Sequence, residues 1–319
     1  MKTKQSTYLI ITTVLFLLVF LPRFNGNQLI IKQQPYDTKY FKAYVNFFRG
    51  EIPVNEIKPA TNWRFLVPLI ASVLPLYSLT AINLINAILL VISLYVFFKV
   101  LHFFNVKPEK IWQSLWLFIL SFPMFYYSSI GYVDASLFLF IALSIYATIK
   151  NINWLFVLSV LIGLCVKETI VICIPFYFFY QYNYNKNKTI IVTFLTCLLV
   201  TILFLIIKNY APVTNVLSKN NFWLFNLKNA EINFTRFNTW GSFIFSFGIV
   251  GLLFIDRLLK FNIKDMLANK LILACLASIG SAYFLYVLSY FSTIADGRII
   301  WLTYFYMLLI VNGLPDKDK

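Results

Sequence analysis

The 319-residue chain is 60% hydrophobic and 12% charged, with a mean hydropathy of +0.77; soluble domains carry about 25% charged residues, so no water-soluble fold hides this much apolar surface. The formal charge of +15 does not argue for nucleic acid, because Lys and Arg are scattered in short loops and make no continuous basic stripe. Cys165, Cys173, Cys197 and Cys275 lie within or beside apolar segments without CxxC or metal-ligand spacing, which argues against disulfides and zinc.

The apolar runs have the roughly 15 to 25 residues that cross a hydrocarbon core about 30 Å thick. They predict an all-α integral membrane protein, a single polytopic domain over residues 1–319. About ten spans are expected on this criterion, over residues 7–21, 78–98, 111–127, 133–149, 152–166, 169–182, 189–207, 240–255, 271–291 and 299–312. The first follows Lys2 and Lys4 as a signal peptide would, but Leu21-Pro22-Arg23-Phe24 offers no small-residue cleavage site and the span is read as retained.

Residues 22–77 form a first outer loop. In it Tyr40, Phe41, Tyr44, Val45, Phe47 and Phe48 recur near helical spacing with Lys39, Lys42 and Arg49 between them, which predicts an amphipathic helix on the outer leaflet. After Gly50, Pro53 and Pro59, the run Trp63 to Leu74 is too short to span and predicts a second interfacial or re-entrant helix. Spans 133–149, 152–166 and 169–182 are short, so they thin the membrane or line an internal cavity. A second outer loop, 208–239, carries Asn233-Phe234-Thr235, a glycosylation acceptor pattern.

Lys and Arg in the short loops set orientation. Lys2, Lys4, Lys99, Lys107, Lys110, Lys150, Lys186, Lys188, Arg257, Lys260, Lys264, Lys270, Lys317 and Lys319 then lie on the cytoplasmic side. An even number of spans leaves both termini in the cytoplasm, and the expected location is the cytoplasmic (inner) membrane.

Ionisable side chains near membrane depth cost roughly 2.5 to 3.5 kcal/mol each and are functional candidates for that reason. Under this topology Asp37, Arg64, Asp134, Lys167, Glu168, Asp296 and Arg298 all fall near the outer ends of spans, where they are expected to converge on one outward-facing cavity. Asp37 reads as an acid in a helix's first turn, or as a general base or metal ligand at the membrane surface. Asp134 reads as a helix-start acid or as a carboxylate that needs a partner in lipid. Lys167 and Glu168 are adjacent and point apart, so each needs its own partner; they make either a tight outer turn or a phosphate-binding Lys beside an orienting acid. Arg298, in Asp296-Gly297-Arg298, suits bidentate phosphate recognition, or is an ordinary interfacial Arg. Arg64 binds substrate or snorkels to headgroups. There is no GxxxxGK[ST], HExxH or GxSxG motif, so ATP hydrolysis, zinc proteolysis and serine hydrolysis have no support.

The order of these features resembles the GT-C superfamily of membrane glycosyltransferases, which includes the protein mannosyltransferases, the lipid A aminoarabinose transferases and many small bacterial relatives. The resemblance rests on a first span, on Tyr36-Asp37-Thr38-Lys39-Tyr40, on Asn62-Trp63-Arg64-Phe65-Leu66-Val67-Pro68-Leu69, on Gly131-Tyr132-Val133-Asp134, on Gly163-Leu164-Cys165-Val166-Lys167-Glu168-Thr169 and on Gly297-Arg298. It implies transfer of a sugar from a polyprenyl-phosphate-linked donor to an acceptor at the extracytoplasmic face, with Asp37 as catalytic base or metal ligand. Arg64, Asp134, Lys167, Glu168 and Arg298 would then bind substrate. Tyr36-Asp37 stands where better known members carry two adjacent acids, and Glu51 and Glu56 are remote, so use of a divalent cation stays open. The expected partners are the lipid-linked donor and membrane lipids. A transporter or lipid or glycan flippase, and a non-catalytic polysaccharide-assembly protein, are the alternative readings; a transporter calls for inverted repeats and polar residues at mid-membrane.

Overall fold

Long apolar runs fold as helix here: 82% of the described residues are helical and none is in a strand. The structure, a computed structural model, describes residues 10–18, 36–57, 64–210, 226–292 and 295–314. The cleavage-site reading at Leu21 to Phe24, Trp63 and residues 211–225 of the second outer loop lie outside them.

In chain order the helices are α1 (10–18), α2 (Tyr36–Phe48), α3 (Leu66–Ser72), α4 (Ser78–Phe103), α5 (Pro108–Ile119), α6 (Phe122–Tyr127), α7 (Asp134–Ile149) and α8 (Asn153–Val166). A 3-10 turn over Glu168–Ile172 leads to α9 (Cys173–Gln181), α10 (Lys186–Tyr210), α11 (Leu227–Thr235), α12 (Phe237–Leu259), α13 (Ile263–Ala268), α14 (Lys270–Ser292), α15 (Arg298–Trp301) and α16 (Tyr304–Asn312). Among the described residues four helices, α4, α10, α12 and α14, are long and apolar enough to cross a membrane. The chain is a membrane protein on that ground.

Two of the short apolar segments are interior. α7 buries 14 of its 16 residues, so its whole circumference is apolar and packed. From Ile300 to Ile310 every residue is fully buried. Their side chains meet around Phe305 of α16, on which Phe97 of α4 stacks at 4.2 Å and Phe118 and Phe138 close at 5.0 and 5.1 Å. Such helices meet other helices and have no bilayer thickness to match. By contrast only 11% of the most apolar stretch of α10 is buried, as expected of a helix dissolved in lipid.

Two expected spans are each two helices. The segment 111–127 breaks at Leu120–Ser121, where Ser121 caps α6 by accepting from the Met124 N–H at 3.4 Å and Pro123 sits in the first turn. The segment 299–312 breaks at Leu302–Thr303, where the Thr303 hydroxyl donates to the Ile300 carbonyl at 2.6 Å. The amphipathic helix exists as α2, but it is not laid on lipid by its apolar stripe: Tyr40, Phe41, Tyr44 and Val45 are buried, and the helix packs on α3 and α4. Arg49, just past its end, donates to the Leu74 and Leu76 carbonyls at 2.7 Å each and to the Ser72 carbonyl at 3.2 Å. It thereby closes the end of α3 and fixes the turn into α4.

The opposite end of the bundle holds the basic short loops. Asn105 and Asn151 adopt positive φ in the tight turns after α4 and α7, a conformation Asn tolerates better than most residues. Lys150 lies over the Phe103 ring at 4.3 Å and Lys270 over the Tyr184 ring at 3.7 Å.

Candidate functional site

Four separate stretches of chain bring charged side chains to the other end of the bundle. α7 begins with Asp134; α8 ends where Lys167 turns extended; Glu168 opens the 3-10 turn; Arg64 leads into α3; and Asp296 lies just before α15, which Arg298 begins. The turn before α7 is held by α4, whose Asn83 donates to the Ser129 carbonyl at 2.9 Å and whose Asn86 donates to the Tyr132 carbonyl at 2.6 Å. Two buried amides of a spanning helix therefore set where Asp134 starts.

The pairing is specific. The Lys167 ammonium donates to Asp134 Oδ1, while Arg298 Nη1 lies 3.5 Å from Asp134 Oδ2. Arg298 Nε is 2.9 Å from Asp296 Oδ2, and the Tyr127 hydroxyl donates to Asp296 Oδ1 at 2.9 Å. The Arg298 guanidinium lies 4.1 Å from the centre of the Tyr132 ring. Arg64 forms a two-pronged pair with Glu168, its Nε 3.0 Å from Oε2. Lys167 and Glu168 thus point to different partners, as adjacent residues must.

Exposure separates a centre from a rim. The Asp134 and Lys167 side chains are 1% and 5% exposed, Arg64 and Arg298 12% and 14%, and Glu168 and Asp296 24% and 27%. Lys167 is therefore buried against Asp134, whereas the two guanidiniums and their acids edge the cluster. Three cations face three acids, so the six side chains are neutral as a set. Burial raises the Glu168 carboxyl, but the Arg64 guanidinium more than reverses this and holds it down at about 2.

Asp37 is the second residue of α2; its side chain lies outside the described ones. Its neighbour Thr38 donates to the Ile130 carbonyl at 2.7 Å, which sets the start of α2 against the turn that leads into Asp134. Among the described residues no group of three or more His, Cys, Asp or Glu converges as metal ligands. The acids of the cluster are each matched by a cation, a donor set suited to ion pairs more than to a divalent ion. Tyr127 and Tyr132 were not legible as site residues, because in a chain that is 19% aromatic nothing distinguishes them from membrane-interface aromatics. The acceptor-pattern residue Asn233 is buried, with its amide donating to the Tyr290 carbonyl and accepting from the Ala295 N–H. Compared with protein-family models, curated proteins and solved structures, the chain matches none.

Proposed function

We propose that the chain is a membrane glycosyltransferase of the GT-C kind, which moves a sugar from a polyprenyl-phosphate donor to an acceptor hydroxyl at the extracytoplasmic face of the cytoplasmic membrane. In this reading about ten segments cross or enter the bilayer and both termini are cytoplasmic. The observation that carries it is the meeting of Arg64, Asp134, Lys167, Glu168 and Arg298 at the end of the bundle opposite the basic loops, beside the start of the helix that bears Asp37.

The chemistry needs no cofactor-binding fold, because the donor carries its own leaving group. The acceptor oxygen attacks the anomeric carbon, Asp37 takes the hydroxyl proton, and the bond from that carbon to the phosphate oxygen breaks with its electron pair. The products are the glycosylated acceptor and the polyprenyl phosphate. Arg64 and Arg298, at the rim, neutralise the departing phosphate. Lys167 and Asp134 act behind them and fix the Arg298 guanidinium in place. Because the cluster is neutral at rest, a phosphate must compete with an acid for each guanidinium, and the longest contact, Arg298 to Asp134, is the one it weakens first. Asp37→Asn in purified protein is expected to lower sugar transfer from a lipid-phosphate donor by about 100-fold or more; transfer unchanged by that substitution ends the proposal.

A further inference from the structure

The Asp296-Gly297-Arg298 loop is held from outside by the segment that precedes it in space, α11 and the first half of α12. The Ala295 N–H donates to Asn233 Oδ1 of α11 at 3.0 Å. The Gly297 N–H donates to Ser242 Oγ of α12 at 3.0 Å. Contact there is so close that a Cβ at Gly297 would collide with the Ser242 carbonyl and sit 2.6 Å from Ser246 Oγ. Asn233 also reaches the Tyr290 carbonyl of α14 at 2.9 Å.

Six residues beyond Ser242 the helix breaks. Gly248 has φ +50 and ψ −159, a combination open to glycine and strained for any other residue. The Tyr304 hydroxyl, at the start of α16, donates to the Phe247 carbonyl at 3.4 Å, beside the break. Below it the second half of α12 has its own anchor, Arg257, which donates to the Leu314 carbonyl at 3.3 Å. The first half of α12 thus holds the 295–297 loop and the second half reaches Leu314, with a glycine at the break between them and the Phe247 ring lying against Gly251 across it.

We infer that α11 and residues 237–247 of α12 are one positioning body, hinged at Gly248, that carries the Asp296–Arg298 loop and presses Arg298 toward Asp134. Asn233 and Ser242 are its two grips on the loop. When the body swings, Ala295 and Gly297 move with it, and Arg298 leaves Asp134, to which its contact is the loosest of the cluster at 3.5 Å. Its Nη1 edge then turns from Asp134 toward an anionic group, while Nε stays with Asp296, which travels on the same loop. Lys167 stays with Asp134, so the acid keeps a partner in both states. The inference stands on the geometry of α11, α12 and the loop and does not require that the site transfer sugars.

Hydrogen exchange of the full chain in lipid nanodiscs tests it, because two of the bonds are amide donors that exchange reads directly. In the wild type, residues 227–247 and 295–298 are expected to open together, at a rate distinct from that of 249–259. Gly248→Ala, which forces a helical φ at the joint and draws Ser242 off the loop, is expected to speed exchange at 295–298 at least tenfold while 249–259 stays unchanged. Ser242→Ala, a milder change that leaves the joint alone, is expected to release 295–298 from 237–247 and serves if Gly248→Ala does not fold. Exchange of 237–259 as a single unit, or exchange at 295–298 that neither substitution alters, overturns the hinge.

Discussion

Asp134 and Lys167 are the most deeply buried acid and base of the cluster. Breaking such a pair by removing one partner typically costs about 3 to 5 kcal/mol, since it strands a charge, whereas an intact buried pair is often no better than a hydrophobic one. The pair is therefore better understood as fixing where Arg298 sits than as a source of stability. Glu168 differs, because it is partly open and depends on Arg64. Its ordinary value is 4.5 and it is held at about 2. A carboxylate held low adds stability above its unfolded value, and that contribution is lost as pH falls through its folded one. Wild type is thus expected to melt higher than Glu168→Gln at pH 7, with the gap shrinking as pH drops below about 4.5 toward 2. Thermal melts of both proteins across that range check it; a gap that does not depend on pH contradicts the pairing. At this scale the sequence shows which charges are out of place and that Lys167 and Glu168 must part company. It does not show that Lys167 is spent on Asp134, because nothing in one strand of text says which helix end lies opposite.

Helices α4, α10, α12 and α14 follow from their apolar length alone and lie within a few residues of the expected spans. Breaks inside continuous apolar runs are harder to see. Ser121-Phe122-Pro123 carried a start signal for α6, but hydropathy stays high through it and a span-length count passes over it. The same holds for Gly248, whose role depends on a backbone angle that composition does not report. α2 shows a further limit: its stripe has the right spacing for a bilayer surface or for a protein surface, and periodicity does not choose between them. In the structure it packs on α3 and α4, with Phe41 1% exposed. Phe41→Ala is accordingly expected to cost about 3 to 5 kcal/mol in folding stability, as for a buried core aromatic. Denaturant unfolding in mild detergent measures it; a loss near zero would return α2 to the leaflet.

The whole molecule is polarised along the bundle. One end carries short turns, positive-φ Asn residues and lysines resting on aromatic rings; the other gathers the starts of α2 and α3, α11 and the neutral charge cluster. A permeation path calls for polar residues at mid-membrane, whereas the Phe305 ring is packed against Phe97, Phe118 and Phe138, all fully buried. The proposed surface chemistry at one end and passage through the middle are separable in one experiment. The purified chain is reconstituted in vesicles with a polyprenyl-phosphate sugar and a hydroxyl acceptor, and both new glycosidic bond and transbilayer movement of the donor are followed. Bond formation that falls at least about 100-fold in Asp37→Asn is the predicted result; movement of the donor across the bilayer with no bond formed would contradict the account.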